Sequence, residues 1–307
     1  MSERIVILGG GPVGLAISEQ LGQAGRRSVI AQRKRPGSLP AGAEYEACDA
    51  LDGAALMGVV QGASTLICTI GLAYDATVWE AAWPKLMTNM LAACSANGAR
   101  LIFIDNVYMY GPQAQPLRED MPMAATGRKG KVRAAITRQW QASGVKVAAL
   151  RAPDFYGAGV ANSIFGTQSI GALAEGRRAT LVVKADAPHV VAYVPDIARA
   201  AVLLIDAPDD AYGQVWHVPN APARSPREIL TMAAKRLGAK PRVTVMPGWL
   251  MAVAGLFVPM IREWQETHFQ HDRPFLIDSS RFEHRFGLRP TPLEEGIPIA
   301  AESFRKA

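Results

Sequence analysis

The sequence predicts an α/β fold, a doubly wound parallel sheet with a smaller, discontinuous cap towards the C-terminus. Three observations predict it. A short apolar run, Ile5–Leu8, leads directly into Gly9, Gly11 and Gly14, spaced as G-x-G-x-x-G at the head of an amphipathic segment. Apolar stretches of strand length then alternate with segments of helical periodicity as far as residue 151, the rhythm that builds a parallel sheet with helices on both faces. Beyond about residue 153 the pattern turns irregular and richer in proline.

The glycine loop comes first. Gly9 permits a tight turn, Gly11 lets backbone approach a pyrophosphate, and Gly14 lets the helix lie close on the strand. Pro12 and Val13 complete the loop and count with the three glycines as candidate cofactor contacts. The helix N-terminus offers free N–H groups and a partial positive charge to phosphates. In this context the motif is the Rossmann signature of a dinucleotide site. The second strand, Ser28–Gln32, ends in Arg33, Lys34 and Arg35 with no acid nearby. Selection of NAD usually places Asp or Glu here to bind the ribose 2′-hydroxyl. Three cations suit a 2′-phosphate instead, and arginine can hold one through a bidentate fork. NADP(H) is therefore the expected cofactor, a solvated basic turn the alternative, and FAD is disfavoured by the same missing acid.

The remaining elements follow in order. A short segment over 43–49 precedes a helix starting at Asp52. Residues 65–70 are wholly apolar apart from their threonines, the character of a strand buried on both faces. A helix over 78–97 is closed by Gly98, a strand follows at Arg100–Asp105, then a helix over 131–143 and a strand over 145–151. Further on, Ser225, Pro226 and Glu228 make a capping box with proline at the first helical position. There is no internal repeat and no low-complexity tract. The Rossmann part is expected over 1–152 plus about 189–219, and the cap over 153–188 and 220–307.

Composition narrows the function. The chain has 307 residues, 49% of them hydrophobic, and a net charge of +6, which suits a globular protein of one large domain or two coupled ones. The positive charge is spread out, with short clusters at 33–35 and 128–133, so it points to anionic small molecules and not to nucleic acid. Cys48, Cys68 and Cys94 form no spaced metal set and read as reduced thiols of a cytoplasmic protein. The apolar stretch over 249–258 is too short to span a bilayer and reads as a buried helix or one that pairs two copies in a homodimer. Glu266, His268 and His271 lack the HExxH order, so no metal site is expected there. His189 and His217 read as structural, and Asp154 as a turn residue or a contact for a polar substrate.

Several stations, taken in order, resemble the extended short-chain dehydrogenase/reductases of the NAD-dependent epimerase/dehydratase family. They are Asp49 to Asp52, Thr88 with Asn89, Val107 to Gly111, Arg151 to Gly157, Tyr193 to Asp196, and Pro290 to Gly296. The resemblance implies an adenine contact for Asp49. It also implies a Ser or Thr, a Tyr and a Lys for the chemistry, the tyrosine four residues before the lysine. There the phenol exchanges a proton with the substrate oxygen while the lysine ammonium lowers its pKa. This chain departs from that set. Alignment from Tyr110 puts Asn106 at the serine, and alignment of the next helix puts Lys131 at the lysine and Gly127 at the tyrosine. Glycine transfers no proton, and Asn106 donates a hydrogen bond but is no acid. Either another phenol serves, from Tyr108, Tyr110 and Tyr156, with Tyr108 the catalytic candidate, or the chain binds its dinucleotide without the family's chemistry. The expected function is NADP(H)-linked oxidoreduction of a small carbonyl or hydroxyl compound. The alternatives are a nucleotide-sugar epimerase or dehydratase and a non-catalytic NADP(H) sensor.

Overall fold

A computed structural model describes residues 3–247, 250, 253, 255, 257 and 259–305. The stretch over 249–258, expected as a buried or pairing helix, lies largely outside the described residues. The chain divides into two compact units. The first comprises Met1–Met109, Arg128–Arg151 and Ile197–Trp216; the second comprises Tyr110–Gly127, Ala152–Asp196 and His217–Ala307.

In the first unit the chain runs β1 (Ile5–Leu8), α1 (Pro12–Gln23), β2 (Ser28–Gln32), β3 (Ala43–Ala47), α2 (Gly53–Val60), β4 (Thr65–Cys68), α3 (Ala76–Asn97), β5 (Arg100–Asp105), α4 (Arg128–Gln141) and β6 (Val147–Arg151). With a last strand, Gln214–His217, these form a seven-stranded sheet in which β6, β5, β4, β1, β2 and β3 lie side by side in that order. β1 pairs in parallel with β2 on one side and β4 on the other, Ile7 facing Ile30 and Ile67. Every residue of β1 and β4 is buried, which is why β1, and β4 after Thr65, read as unbroken apolar runs. From β1 the chain winds outward first to β2 and β3, then returns to β4, β5 and β6. Strand order reverses between β1 and β4, and ligands of such sheets bind beyond the carboxyl ends at that reversal.

Local chemistry sets the helix ends. The Asp52 carboxylate accepts from Ala54 N and Ala55 N, and Asp75 accepts from Thr77 N and Val78 N. The Asp75 cap starts α3 two residues before the expected 78, and Gly98, with φ +63°, stops it. Leu56, Val60, Trp83, Met87, Phe103 and Trp140 belong to the core packed against the sheet.

The second unit has its own core, in which Ile229, Leu230 and Ala233 of helix Pro226–Leu237 meet Ile297, Ala300 and Ala301 of helix Leu293–Ser303. The capping box at Ser225 and Glu228 forms in both directions. Segment Tyr110–Gly127 is tied into this unit by Leu117 N donating to Leu276 O (2.9 Å) and Asp278 N donating to Leu117 O (2.8 Å). Among the described residues no helix is long and apolar enough to cross a membrane.

Candidate active site

The loop between β1 and α1 is shaped by what each glycine must avoid. Gly9 has φ +104°, a backbone region L-residues rarely adopt. A Cβ on Gly14 would run into Gly9 O and stand 2.8 Å from Thr69 Oγ1. Thr69 itself leaves the strand expected to reach 70, because its hydroxyl turns to Leu8 O (3.0 Å) and Gly9 O (2.9 Å). Gly11 differs, since a Cβ there would meet nothing within 4 Å. Its open face lies at the first turn of α1, where the N–H groups of Val13 and Gly14 lack intrahelical acceptors. Pro12 sits at the helix start without an N–H and so gives no backbone donor, whereas Val13, its side chain buried, offers its N–H to a ligand. The space and the donors fit a pyrophosphate.

At the end of β2, Gln32 links this loop to the basic one. Its Oε1 accepts from Gly10 N (2.7 Å) and its Nε2 donates to Lys34 O (2.6 Å). Sequence reading passed Gln32 over, although an amide where an acid is usual was the available signal. Arg33, Lys34 and Arg35 are exposed, and the Arg35 guanidinium lies 5.8 Å from the Tyr45 ring centre. Asp49 is exposed, with Oδ1 accepting from Leu51 N at 3.0 Å.

Beyond β5 a buried charge network holds the next loop. The Asp105 carboxylate is wholly enclosed, accepting from Arg133 Nη1 (3.0 Å) and from Asn106 N (2.8 Å). Arg151 Nε lies 3.5 Å from its other oxygen. The Arg133 guanidinium lies 3.8 Å from the Trp83 ring centre and 4.6 Å from that of Trp79. Burial pulls Arg133 below its ordinary value against the raising effect of Asp105. Asn106 Oδ1 accepts from Tyr108 N (3.0 Å), which turns the chain at the strand end.

Tyr108 lies parallel to Trp79, ring centres 6.0 Å apart, and edge-on to Tyr74 at 6.4 Å. Lys129 is fully buried, its Nζ 4.7 Å from the Tyr74 ring centre. Lys131, expected at the lysine station, is exposed on α4. Helix α4 starts at Arg128 and not at 131, and two residues along a helix turn a side chain by about 200°, so the cation carried inward is Lys129. The structure thus gathers Asn106 and Tyr108, adds Tyr74 and Lys129, and leaves Lys131 outside. Tyr74 lay in an unpatterned loop and gave no sequence signal.

Of the remaining phenols, Tyr110 is hydrogen-bonded and Tyr156 is enclosed. Tyr110 OH is 2.9 Å from His217 Nε2, and His217 Nδ1 is 3.0 Å from Asp278 O. A carbonyl only accepts, so Nδ1 carries a hydrogen, and in the neutral ring the Tyr110 hydroxyl donates to Nε2. Tyr156 is buried, stacked on Tyr193 at 5.0 Å and pressed against Gly296, and burial pushes its phenol far up. At Gly127 a Cβ would stand 2.6 Å from Glu266 Cγ and Oε1, so the Glu266 side chain fills the space a tyrosine would need. Burial pushes the thiols of Cys48 and Cys68 up to about 11 and that of Cys94 to about 12, which keeps all three protonated.

Separately, the second unit brings together Asp154, His189 and His271, whose ligand-capable atoms all lie within 4.8 Å of one another. Their separation along the chain hid the group from sequence reading, which set His271 beside Glu266 and His268 and took Asp154 and His189 singly. Burial pulls the His271 imidazole down to about 4 and so keeps it neutral at ordinary pH.

Residues 5–218 match the model of a family described as the NAD dependent epimerase/dehydratase family. No curated protein matches the chain. Among solved structures, the enzyme WbmH of Bordetella bronchiseptica in complex with NAD+ is similar, with TM-score 0.78 and 19% identity over 100% of this chain and 99% of that one. A UDP-glucuronic acid 4-epimerase from Bacillus cereus in complex with NAD is similar with TM-score 0.80 and 14% identity, over 99% of each chain. A dTDP-glucose 4,6-dehydratase from Bacillus anthracis in complex with NAD has TM-score 0.80 and 13% identity, over 99% of this chain and 97% of that one.

Proposed function

The chain belongs to the NAD dependent epimerase/dehydratase family, and on that premise we propose that it is a nicotinamide-dinucleotide enzyme acting on a nucleotide sugar. The observation that carries the dinucleotide is the open face of Gly11 above the first turn of α1, where any side chain would occupy pyrophosphate space. Likeness over the whole chain, cap included, to a UDP-sugar epimerase and a dTDP-sugar dehydratase supports the substrate class ahead of a small carbonyl compound.

The bound nicotinamide supplies the hydride acceptor and donor. The chain's own residues do the rest. Gly11 and the first turn of α1 receive the pyrophosphate, Asp49 meets the adenine, and Arg33, Lys34 and Arg35 receive a 2′-phosphate, which favours NADP(H). Asn106 donates a hydrogen bond to the substrate oxygen. Tyr108 holds the proton exchanged with that oxygen, and Lys129, in place of Lys131, supplies the ammonium that eases its ionisation. Tyr110 and Tyr156 are left to structure by the partners described above.

One observation favours a second reading. The basic triplet after β2 suits NADP(H), and NADPH serves net reductions, whereas an epimerase returns the hydride it takes. That reading is NADPH-linked reduction of a small carbonyl compound. Purified protein is assayed against UDP- and dTDP-sugars and against a carbonyl panel. Conversion of a nucleotide sugar without net cofactor change supports the first reading, and net NADPH oxidation by a carbonyl supports the second. Turnover on neither panel, with tight dinucleotide binding, supports a sensor. Under either enzymatic reading, Tyr108→Phe lowers kcat by ~10²-fold or more while dinucleotide affinity stays near native, as loss of a general acid does. Lys129→Met does the same and Lys131→Met does not. Unchanged turnover in Tyr108→Phe removes Tyr108 from the chemistry.

A further inference from the structure

Three ligand-capable atoms in the second unit face one another. Asp154 Oδ2 is 3.6 Å from His189 Nε2 and 3.9 Å from His271 Nδ1. All three are buried and make no hydrogen bond. Both distances exceed hydrogen-bond range, so neither imidazole satisfies the carboxylate directly. Buried polar atoms are nearly always partnered, and each exception calls for an explanation. Three exceptions aimed at one point call for a single one.

Backbone hydrogen bonds fix the segments that carry these side chains. Asp154 O accepts from Ala192 N (2.9 Å), His189 N donates to Arg224 O (3.0 Å), and His271 O accepts from Lys184 N (2.7 Å). The two imidazoles stack at 5.5 Å and 19°. Trp264 covers the outer face of His271 at 4.6 Å and 5°. The histidines are 3% and 5% exposed, whereas the Asp154 side chain is 25% exposed, so the group opens to the surface on the carboxylate side.

From this geometry we propose that Asp154, His189 and His271 form a binding site for a divalent transition-metal ion, zinc being the natural occupant. Two imidazole nitrogens and one carboxylate oxygen are a donor set these metals favour. Tetrahedral bonds of about 2.0–2.2 Å put ligand atoms ~3.3 Å apart, closer than the separations of up to 4.8 Å here, so these side chains turn inward to close the site on an ion. Three protein ligands leave a fourth position for water or a substrate oxygen. The nearby Glu266 and His268 are not among the ligands. The proposal does not depend on the dinucleotide reading, because every ligand lies in the second unit.

The test uses the full chain, free of any affinity tag and stripped with chelator, titrated with Co²⁺ as a spectroscopic probe and then with Zn²⁺. One Co²⁺ binds per chain with visible d–d absorption, and Zn²⁺ displaces it. Asp154→Asn, His189→Gln and His271→Gln each weaken Co²⁺ by about tenfold or more, while His268→Gln binds as the native chain does. Zn²⁺ also raises the Tm of the native protein and not that of Asp154→Asn, a comparison that needs only partial folding of the variant. Absence of stoichiometric Co²⁺ binding to the native chain overturns the proposal and leaves a buried Asp–His pair. Binding that survives all three ligand substitutions, or that His268→Gln abolishes, overturns it as well.

Discussion

Replacing Asp105 with Asn removes the one anion in a buried set with two cations. The side chains of Asp105, Arg133 and Arg151 are 0%, 6% and 2% exposed. Asn is nearly isosteric and can still accept from Asn106 N, so packing is kept and charge alone is lost. Arg133 then remains enclosed without the carboxylate it pairs with, packed against Trp79, Trp83 and Phe103. Breaking a buried pair in this way costs about 3–5 kcal/mol. At ~2–4 °C per kcal/mol for a domain of this size, the Tm falls by about 6–20 °C. Thermal and urea unfolding followed by circular dichroism measure it. A second arm isolates the cause. Arg133→Met in the Asp105→Asn background removes one stranded cation while keeping an apolar chain against Trp83, and it restores a large part of the loss. A drop below 1 kcal/mol in the single variant refutes the reasoning, as does a double variant less stable than the single.

Two further outcomes concern the cofactor. Gly11→Val abolishes dinucleotide binding in a titration yet leaves the unfolding midpoint near native, because its side chain enters only ligand space; near-native affinity would show that the loop is structural. The native chain binds NADPH more tightly than NADH, and Arg33→Ala weakens NADPH by about tenfold or more, the scale of a charge-assisted contact of ~1.5–3 kcal/mol. Equal affinity for the two cofactors in the native chain defeats that assignment.

Sequence alone determined the features that depend on neighbours along the chain. The glycine loop, the caps at Asp52, Ser225 and Gly98, and the alternation of apolar strands with helices were legible because turn chemistry and periodicity act over a few residues. Tertiary structure decided what depends on facing. Which lysine turns inward followed from where α4 begins, and a start three residues early exchanges Lys131 for Lys129. Tyr74 entered the candidate site through packing beside Tyr108, and Tyr110 left it through a bond to His217, a residue far along the chain. The grouping of Asp154, His189 and His271 has no sequence spacing at all. It exists because separate segments of the second unit converge, and such convergence is set by long-range packing that no local pattern encodes.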